Sequence, residues 1–241
     1  LRFSLIIPAH NEEAYLERCL RCAVAELQAN RHRGAFEIVV IDNASTDRTA
    51  EVAARVPQVR VVAEPAKGLT RARQRGLEEA RGEIVAYIDA DTCMPRGWLA
   101  RVLDGFERDA RVVCVSGPYV YHDLPALRRA LVRLYWLVLA MPVYAWTGYM
   151  AVGGNFAATR RALLDIGGFD TSIAFYGEDT NIARRLARAG RVRFDLRLVM
   201  PTSARRLHAE GFVVTAARYV ANFLSEAVLK RPLTTRYRDI R

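Results

Sequence analysis

Short apolar runs recur through the first half of the chain, at Phe3 to Ile7, Glu37 to Ile41, Val59 to Ala63 and Ile84 to Ile88, each closed by a cluster of turn-forming or charged residues. Runs of this length predict buried strands. Between them the apolar positions recur at helical spacing, which predicts helices over Ala14 to Ala29, Asp47 to Val56 and Thr70 to Ala80. A further helix near Trp98 to Arg108 leads to a strand at Val112 to Ser116. Strands alternating with helices across short connections predict an α/β fold with a mostly parallel central sheet flanked by helices.

The second half is less regular. No charged residue occurs from Leu134 to Thr159, with Arg128, Arg129 and Arg133 before it and Arg160 and Arg161 after it. The length would suffice for a membrane span, but Pro142 and the Gly148, Gly153 and Gly154 set argue against one straight helix. A buried acceptor wall or an interfacial segment carrying Trp136, Tyr144, Trp146 and Tyr149 is expected instead. Gly177-Glu178-Asp179 opens an expected helix through Ala189, where acidic residues suit the positive end of the helix dipole. A last strand is expected at Val192 to Leu196, then a helix from Gly211 to Leu229 with a basic exit at Lys230 and Arg231 and a tail bearing Arg236, Arg238 and Arg241.

Composition narrows the class. The 241 residues, 51% hydrophobic, contain no linker-like tract and no internal repeat, and predict one compact domain. No basic segment followed by an apolar core opens the chain, so no secretory signal is expected. The four cysteines do not form a disulfide framework, and Cys19 and Cys22 fall in an amphipathic pattern as buried helix residues, so a reducing, cytoplasmic setting is expected. The net charge of +10 favours anionic partners such as phosphorylated ligands or an anionic membrane surface. Nucleic acid is not among the expected partners, because the arginines are dispersed and no recognition motif is present.

The chemistry gathers where the predicted strands end. Pro8-Ala9-His10-Asn11-Glu12-Glu13, Asp42 to Asp47, Glu64 to Gly68 and Asp89-Ala90-Asp91 each follow a strand and should line one edge of the sheet, where open α/β folds bind ligands. Two carboxylates one residue apart at such an edge suit a hard divalent cation, Mn²⁺ or Mg²⁺, shared with substrate phosphates. Asp42 could accept a hydrogen bond from a pyrimidine ring NH or merely cap a helix. Glu12 and Glu13 could accept from ribose hydroxyls or simply favour a helix start. Lys67, Gly68 and Arg73 could serve a diphosphate or a solvated helix face. A dinucleotide-binding oxidoreductase is excluded by the absence of a G-x-G-x-x-G turn. A nucleotidyltransferase would carry a glycine-rich phosphate loop after the first strand, where this chain has Pro8-Ala9-His10-Asn11. A non-catalytic membrane-surface protein with a degenerate fold would not need intact Asp89, Asp91 and Asp179.

Taken in order, Pro8 to Glu12, Asp42 to Asp47, Lys67-Gly68 with Ala72-Arg73, Gly82-Glu83 and Asp89-Ala90-Asp91 resemble the family-2 glycosyltransferases. The likeness continues through Gly153-Gly154-Asn155, Gly167 to Asp170 and Gly177-Glu178-Asp179, and so covers roughly Phe3 to Leu196. The resemblance implies a single Rossmann-like GT-A domain over 1–241. Within it, 1–117 would bind the nucleotide-sugar and 118–210 the acceptor, and 211–241 would form the terminal helix and tail. It implies inverting transfer from a UDP-sugar or similar donor to a sugar or lipid-linked hydroxyl. In that scheme Asp42 reads the base. Pro8, Ala9, His10 and Glu12 hold the nucleoside, with Lys67, Gly68 and Arg73 on base or phosphate. Asp91 ligates the metal, with Asp89 on ribose or the ion and His208 as a late ligand. Asp179 is the base beside Glu178, and Gly153, Gly154, Asn155 and Trp146 face the acceptor. Two departures stand out. His10 replaces a frequent aromatic residue and Thr92 a frequent third acid. The resemblance and the basic, apolar second half together place the protein at the cytoplasmic face of a membrane, as a peripheral enzyme.

Overall fold

The structure is a computed structural model and describes residues 2–229 together with 233 and 234. Its strands are β1 (Phe3–Ala9), β2 (Phe36–Asn43), β3 (Val59–Glu64), β4 (Ile84–Ile88), β5 (Val112–Ser116), β6 (Tyr119–Tyr121), β7 (Asn155–Thr159), β8 (Arg191–Phe194) and β9 (Met200–Thr202). The helices are α1 (Leu16–Ala29), α2 (Thr49–Ala54), α3 (Leu69–Glu79), α4 (Trp98–Glu107), α5 (Ala126–Tyr135), α6 (Met141–Thr147), α7 (Arg160–Asp165), α8 (Glu178–Leu186), α9 (Arg205–Glu210) and α10 (Phe212–Leu229). The basic exit and tail expected after Leu229 lie outside the described residues.

A seven-stranded sheet runs in the order β3-β2-β1-β4-β7-β5-β8, parallel except for β7, which is antiparallel to both neighbours. The apolar runs are continuous because both faces of each central strand are covered. In β4, Ile84, Ala86 and Ile88 enter the core beneath α1 and α4, while Val85 and Tyr87 enter the core beneath α3, α7 and α8. A second, two-stranded parallel sheet pairs β6 with β9 and brings the last loops back over the carboxyl edge of the first.

The segment from Leu134 to Thr159 is neither one straight helix nor evenly buried: a helix at its start and a strand at its end are joined by a loop in which Met150 to Gly154 are buried. Its end is β7, a central strand whose side chains up to Ala158 are buried. Its start belongs to a 22-residue helix from Ala126 to Thr147, formed by α5, one π-helical stretch over Trp136–Ala140 and α6. Pro142 does not break this helix, because the wider π turn just before it accommodates a residue without an amide hydrogen. The helix rests on the body through Trp136, Ala140 and Tyr144 around Phe194. By length and composition it could cross a membrane, and only 6% of its most apolar window is buried.

The cysteine expectation also changes. Cys22 is joined to Cys93 by a disulfide that ties α1 to the loop after Asp91, with the Cα atoms 5.5 Å apart. The reducing setting expected from the cysteine count therefore finds no support. Cys19 is buried as expected, and burial pushes its thiol up to about 12.

Candidate active site

The strand ends bring the predicted clusters to one edge and lock them together. Asn11 and Ala44 both take left-handed backbone conformations at the ends of adjacent strands, which is unusual for residues with side chains. Hydrogen bonds hold them there. The Asn11 amide donates to Ser45 Oγ at 3.1 Å, and Thr46 N donates to Asn11 Oδ1 at 2.8 Å. Nearby, Glu12 N donates to Thr49 Oγ1 at 2.7 Å. His10 is buried, with Nδ1 2.8 Å from the Asn43 carbonyl.

Asn43 fastens the next loop. Its Nδ2 donates to the Glu64 and Ala66 carbonyls, and its Oδ1 accepts from Gly68 N at 2.8 Å. The result is a cleft of about 250 Å³ bordered by Pro8, Ala9, His10, Asn43, Lys67 and Gly68 on one side and by Thr171 and Phe175 on the other. Asn43, not Asp42, lines this cleft. Asp42 Oδ1 is buried without a hydrogen-bond partner in the protein.

Asp89 and Asp91 border an adjoining cleft of about 80 Å³ with Tyr119, Tyr121, Phe175, Thr202, Arg205 and Arg206. Both carboxylates are held by cations of the chain. Asp89 Oδ2 accepts from the Tyr119 hydroxyl at 2.6 Å, and Oδ1 lies 3.3 Å from Arg73 Nη2. Asp91 pairs with Arg205 Nε at 2.9 Å. Thr92, at the position of the missing third acid, turns inward and donates to the Asp89 carbonyl at 2.7 Å.

Arg73 corrects one expectation. Its side chain is only 2% exposed and pairs with Asp89 and with Glu178, so it is a buried brace between the two carboxylates and not part of a solvated helix face. The glycines also take a different role. A Cβ on Gly154 would fall 2.0 Å from the Tyr119 hydroxyl and 2.4 Å from Asp89 Oδ2, and one on Gly153 would meet Glu178 and Arg73. Their bareness lets β7 lie against the carboxylates. Asn155 is fully buried, accepting from Trp98 Nε1 and donating to the Pro118 and Leu198 carbonyls, which leaves no group for an acceptor. Trp146 is 73% exposed near the end of the long helix.

Glu178 and Asp179 open α8 after Gly177, whose positive φ of 82° makes the turn. Burial pushes Glu178 up to about 7 against the pull of Arg73, with the charge of Asp179 adding to the rise. Asp179 is raised for the same first reason, burial, while the Thr180 amide and Arg73 oppose it. Its charge is felt by Tyr135 on α5 and by Tyr219 on α10.

Mn²⁺ or Mg²⁺ commonly takes one or two protein carboxylates together with phosphate oxygens and water. Asp89 and Asp91 fit that set. Among the described residues no group of three or more His, Cys, Asp and Glu converges, and His208 is exposed on α9. Sequence reasoning missed Asn43, Tyr119, Phe175 and Arg205. Only Arg205 left a signal, as part of an Arg-Arg pair beside His208.

The profile of Glycosyl transferase family 2 matches residues 4–167, more than half of the chain. The protein is a family-2 glycosyltransferase. Among curated relatives, the probable glycosyltransferase YdaM of Bacillus subtilis is 26% identical over 210 residues, covering 78% of this chain and 47% of YdaM. Glycosyltransferase AglE of Haloferax volcanii is 29% identical over 103 residues, covering 41% of this chain and 33% of AglE. The glycosyltransferase chain thus spans between a third and a half of these two relatives' lengths. Its fold is GT-A. The mannosyltransferase PcManGT from Pyrobaculum calidifontis, solved with GDP-Man and Mn²⁺, superposes with a TM-score of 0.74 at 24% identity, covering 95% of this chain and 64% of that one. Glucosyl-3-phosphoglycerate synthase from Mycobacterium tuberculosis, solved with Mn²⁺, UDP and phosphoglyceric acid, gives 0.64 at 21% identity, covering 94% and 78%.

Proposed function

We propose that this chain transfers a sugar from a nucleoside-diphosphate sugar, a UDP-sugar first among the candidates, to a hydroxyl acceptor with inversion at the anomeric carbon. The observation that carries the reading is the convergence of Asp89 and Asp91 on one small cleft beside a larger cleft of nucleoside size. Pro8, Ala9, His10, Lys67 and Gly68 hold the nucleoside, Asp42 supplies the partnerless acceptor for a base NH, and Glu12 anchors the loop beneath the ribose. Asp91, assisted by Asp89, holds a divalent cation. Bound there, the cation supplies positive charge against the growing charge of the departing diphosphate. Solved neighbours bearing GDP-Man with Mn²⁺ or UDP with Mn²⁺ support this donor class.

Asp179 takes the proton of the attacking hydroxyl. Burial raises its proton affinity and makes it a better base than a free carboxylate. The acceptor is lipid-linked and met at an anionic membrane surface. Support comes from the long helix, which exposes Leu127, Leu131, Leu134 and Val138 beside Arg128, Arg129 and Arg133, with Tyr135 near Asp179. The test is a thermal-shift panel of nucleoside diphosphates and their sugars, with and without Mn²⁺, followed by donor hydrolysis. One nucleotide series should stabilise the protein, and more so with Mn²⁺. Absence of any Mn²⁺-dependent shift across the panel would overturn the reading.

A further inference from the structure

The donor site already contains a cation of its own. Arg205 opens α9 just after β9, and its guanidinium lies between the two carboxylates that border the nucleotide edge. Its Nε is 2.9 Å from Asp91 Oδ2, its Nη1 is 2.9 Å from Glu12 Oε2, and its Nη2 pairs with Glu12 Oε1. Thr202 Oγ1 donates to Asp91 Oδ1 at 3.3 Å, and the guanidinium sits over the Tyr15 ring at 4.9 Å. Glu12 is 1% exposed, so the arrangement is an internal one, not a surface ion pair. The side chain expected to hold a divalent ion is therefore engaged by a guanidinium at the wall of the cleft that a diphosphate would enter.

We propose that Arg205 is the resident counter-cation of the donor site, holding Asp91 until the nucleoside diphosphate draws the guanidinium onto its own oxygens and leaves Asp91 to the divalent ion. This rests on the metal-dependent donor reading above and adds an order to it. A guanidinium is a planar fork that fits carboxylate and phosphate alike, so the diphosphate can replace Asp91 at Nε while the two Nη atoms stay on Glu12. Arg206 supports the same path. It lines the same cleft, and its guanidinium lies 4.5 Å over the Phe175 ring, which borders both clefts. Donor and metal then favour the same state of Arg205, and each tightens the binding of the other.

The test follows free Mn²⁺ by electron paramagnetic resonance during titration of the full chain, with and without UDP or GDP. Wild type should bind Mn²⁺ weakly alone and about tenfold or more tighter with nucleotide. Arg205→Ala should bind Mn²⁺ about tenfold tighter than wild type without nucleotide and lose most of the nucleotide enhancement. Arg205→Lys, which keeps a charge without the fork, should fall between them. A merely structural Arg205 would do the opposite, since a disordered site binds Mn²⁺ less. A folded Arg205→Ala that binds Mn²⁺ like wild type, or more weakly, overturns the proposal. If that variant does not fold, Arg205→Lys with wild-type Mn²⁺ affinity overturns it. Asp91→Ala separates the two levels. Loss of Mn²⁺ binding there, with Arg205→Ala unresponsive, sinks the counter-cation alone. Retention of Mn²⁺ binding in Asp91→Ala sinks the metal assignment and the proposal with it.

Discussion

At the carboxyl edge of the sheet the loops after β1, β2 and β3 are tied to one another by side-chain hydrogen bonds, whereas the helix from Ala126 to Thr147 lies on the surface with its apolar residues uncovered. The first region is held by its own side chains: Asn11, Ser45, Asn43 and Gly68 fix the edge of the larger cleft. The second region is apolar where it meets solvent. Leu127 is 74% exposed and Val138 61%, values that a water-facing helix seldom combines with so few charges. A site finished on one side and bare on the other suits a reaction between a soluble donor and an acceptor that arrives with its own apolar surroundings.

Asp179 stands at the junction, and its replacement should have the largest effect. Asp179→Asn should lower turnover by about 10² to 10⁴ while nucleotide binding is retained, as steady-state rates and calorimetry would measure. Turnover at the wild-type level would place the base elsewhere. Asp91→Ala should cost about 10² to 10³ in rate at saturating Mn²⁺, because it removes charge stabilisation of the departing diphosphate. An Mn²⁺ titration of the rate that matches wild type would detach the donor half from its metal.

The pH dependence sharpens the same junction. As the proposed base Asp179 must be deprotonated, and burial raises its proton affinity, so the rate should fall as pH drops, beginning above the ordinary carboxylate range. The sign for stability is opposite to that of a salt-bridged acid. Glu178 is pushed up to about 7 from 4.5, so the fold holds its proton more tightly than the unfolded chain does. Its contribution to stability then declines as pH rises from 4.5 to about 7, which denaturation midpoints in wild type and Glu178→Gln would resolve. The smallest effect is expected on the exposed helix. Leu131→Glu with Leu134→Glu should leave unfolding free energy within about 0.5 kcal/mol. The pair should nonetheless reduce sedimentation with anionic vesicles and spare transfer to a water-soluble acceptor.

The same contrast explains what could be read from residues alone. The parallel strands were legible because each is short, apolar and closed by turn residues, and the carboxylates at their ends follow from that placement. The acids of the site were legible as types: Asp89 and Asp91 border one cleft, and Asp89 and Glu178 share Arg73. Their partners were not. Tyr119 and Arg205 reach the aspartates from the second small sheet and the helix after it, over chain separations that no local pattern encodes. Arg73 was visible as a cation, but its burial depends on Gly153 giving it room, a packing fact. β7 was hidden because the uncharged segment offers no period that separates a central strand from a surface helix. The Cys22–Cys93 bond was hidden because C-x-x-C spacing drew attention to Cys19, while the true partner lies 71 residues away beside Asp91.

The central claim is that the carboxyl-edge clefts receive a nucleotide, with its diphosphate toward Asp91. A crystal structure of the protein grown with Mn²⁺ and the nucleoside diphosphate that most raises its Tm tests this directly. The account predicts the base between Gly68 and Phe175, and the diphosphate with Mn²⁺ at Asp91. A nucleotide ordered elsewhere, with both clefts holding only water, would contradict it.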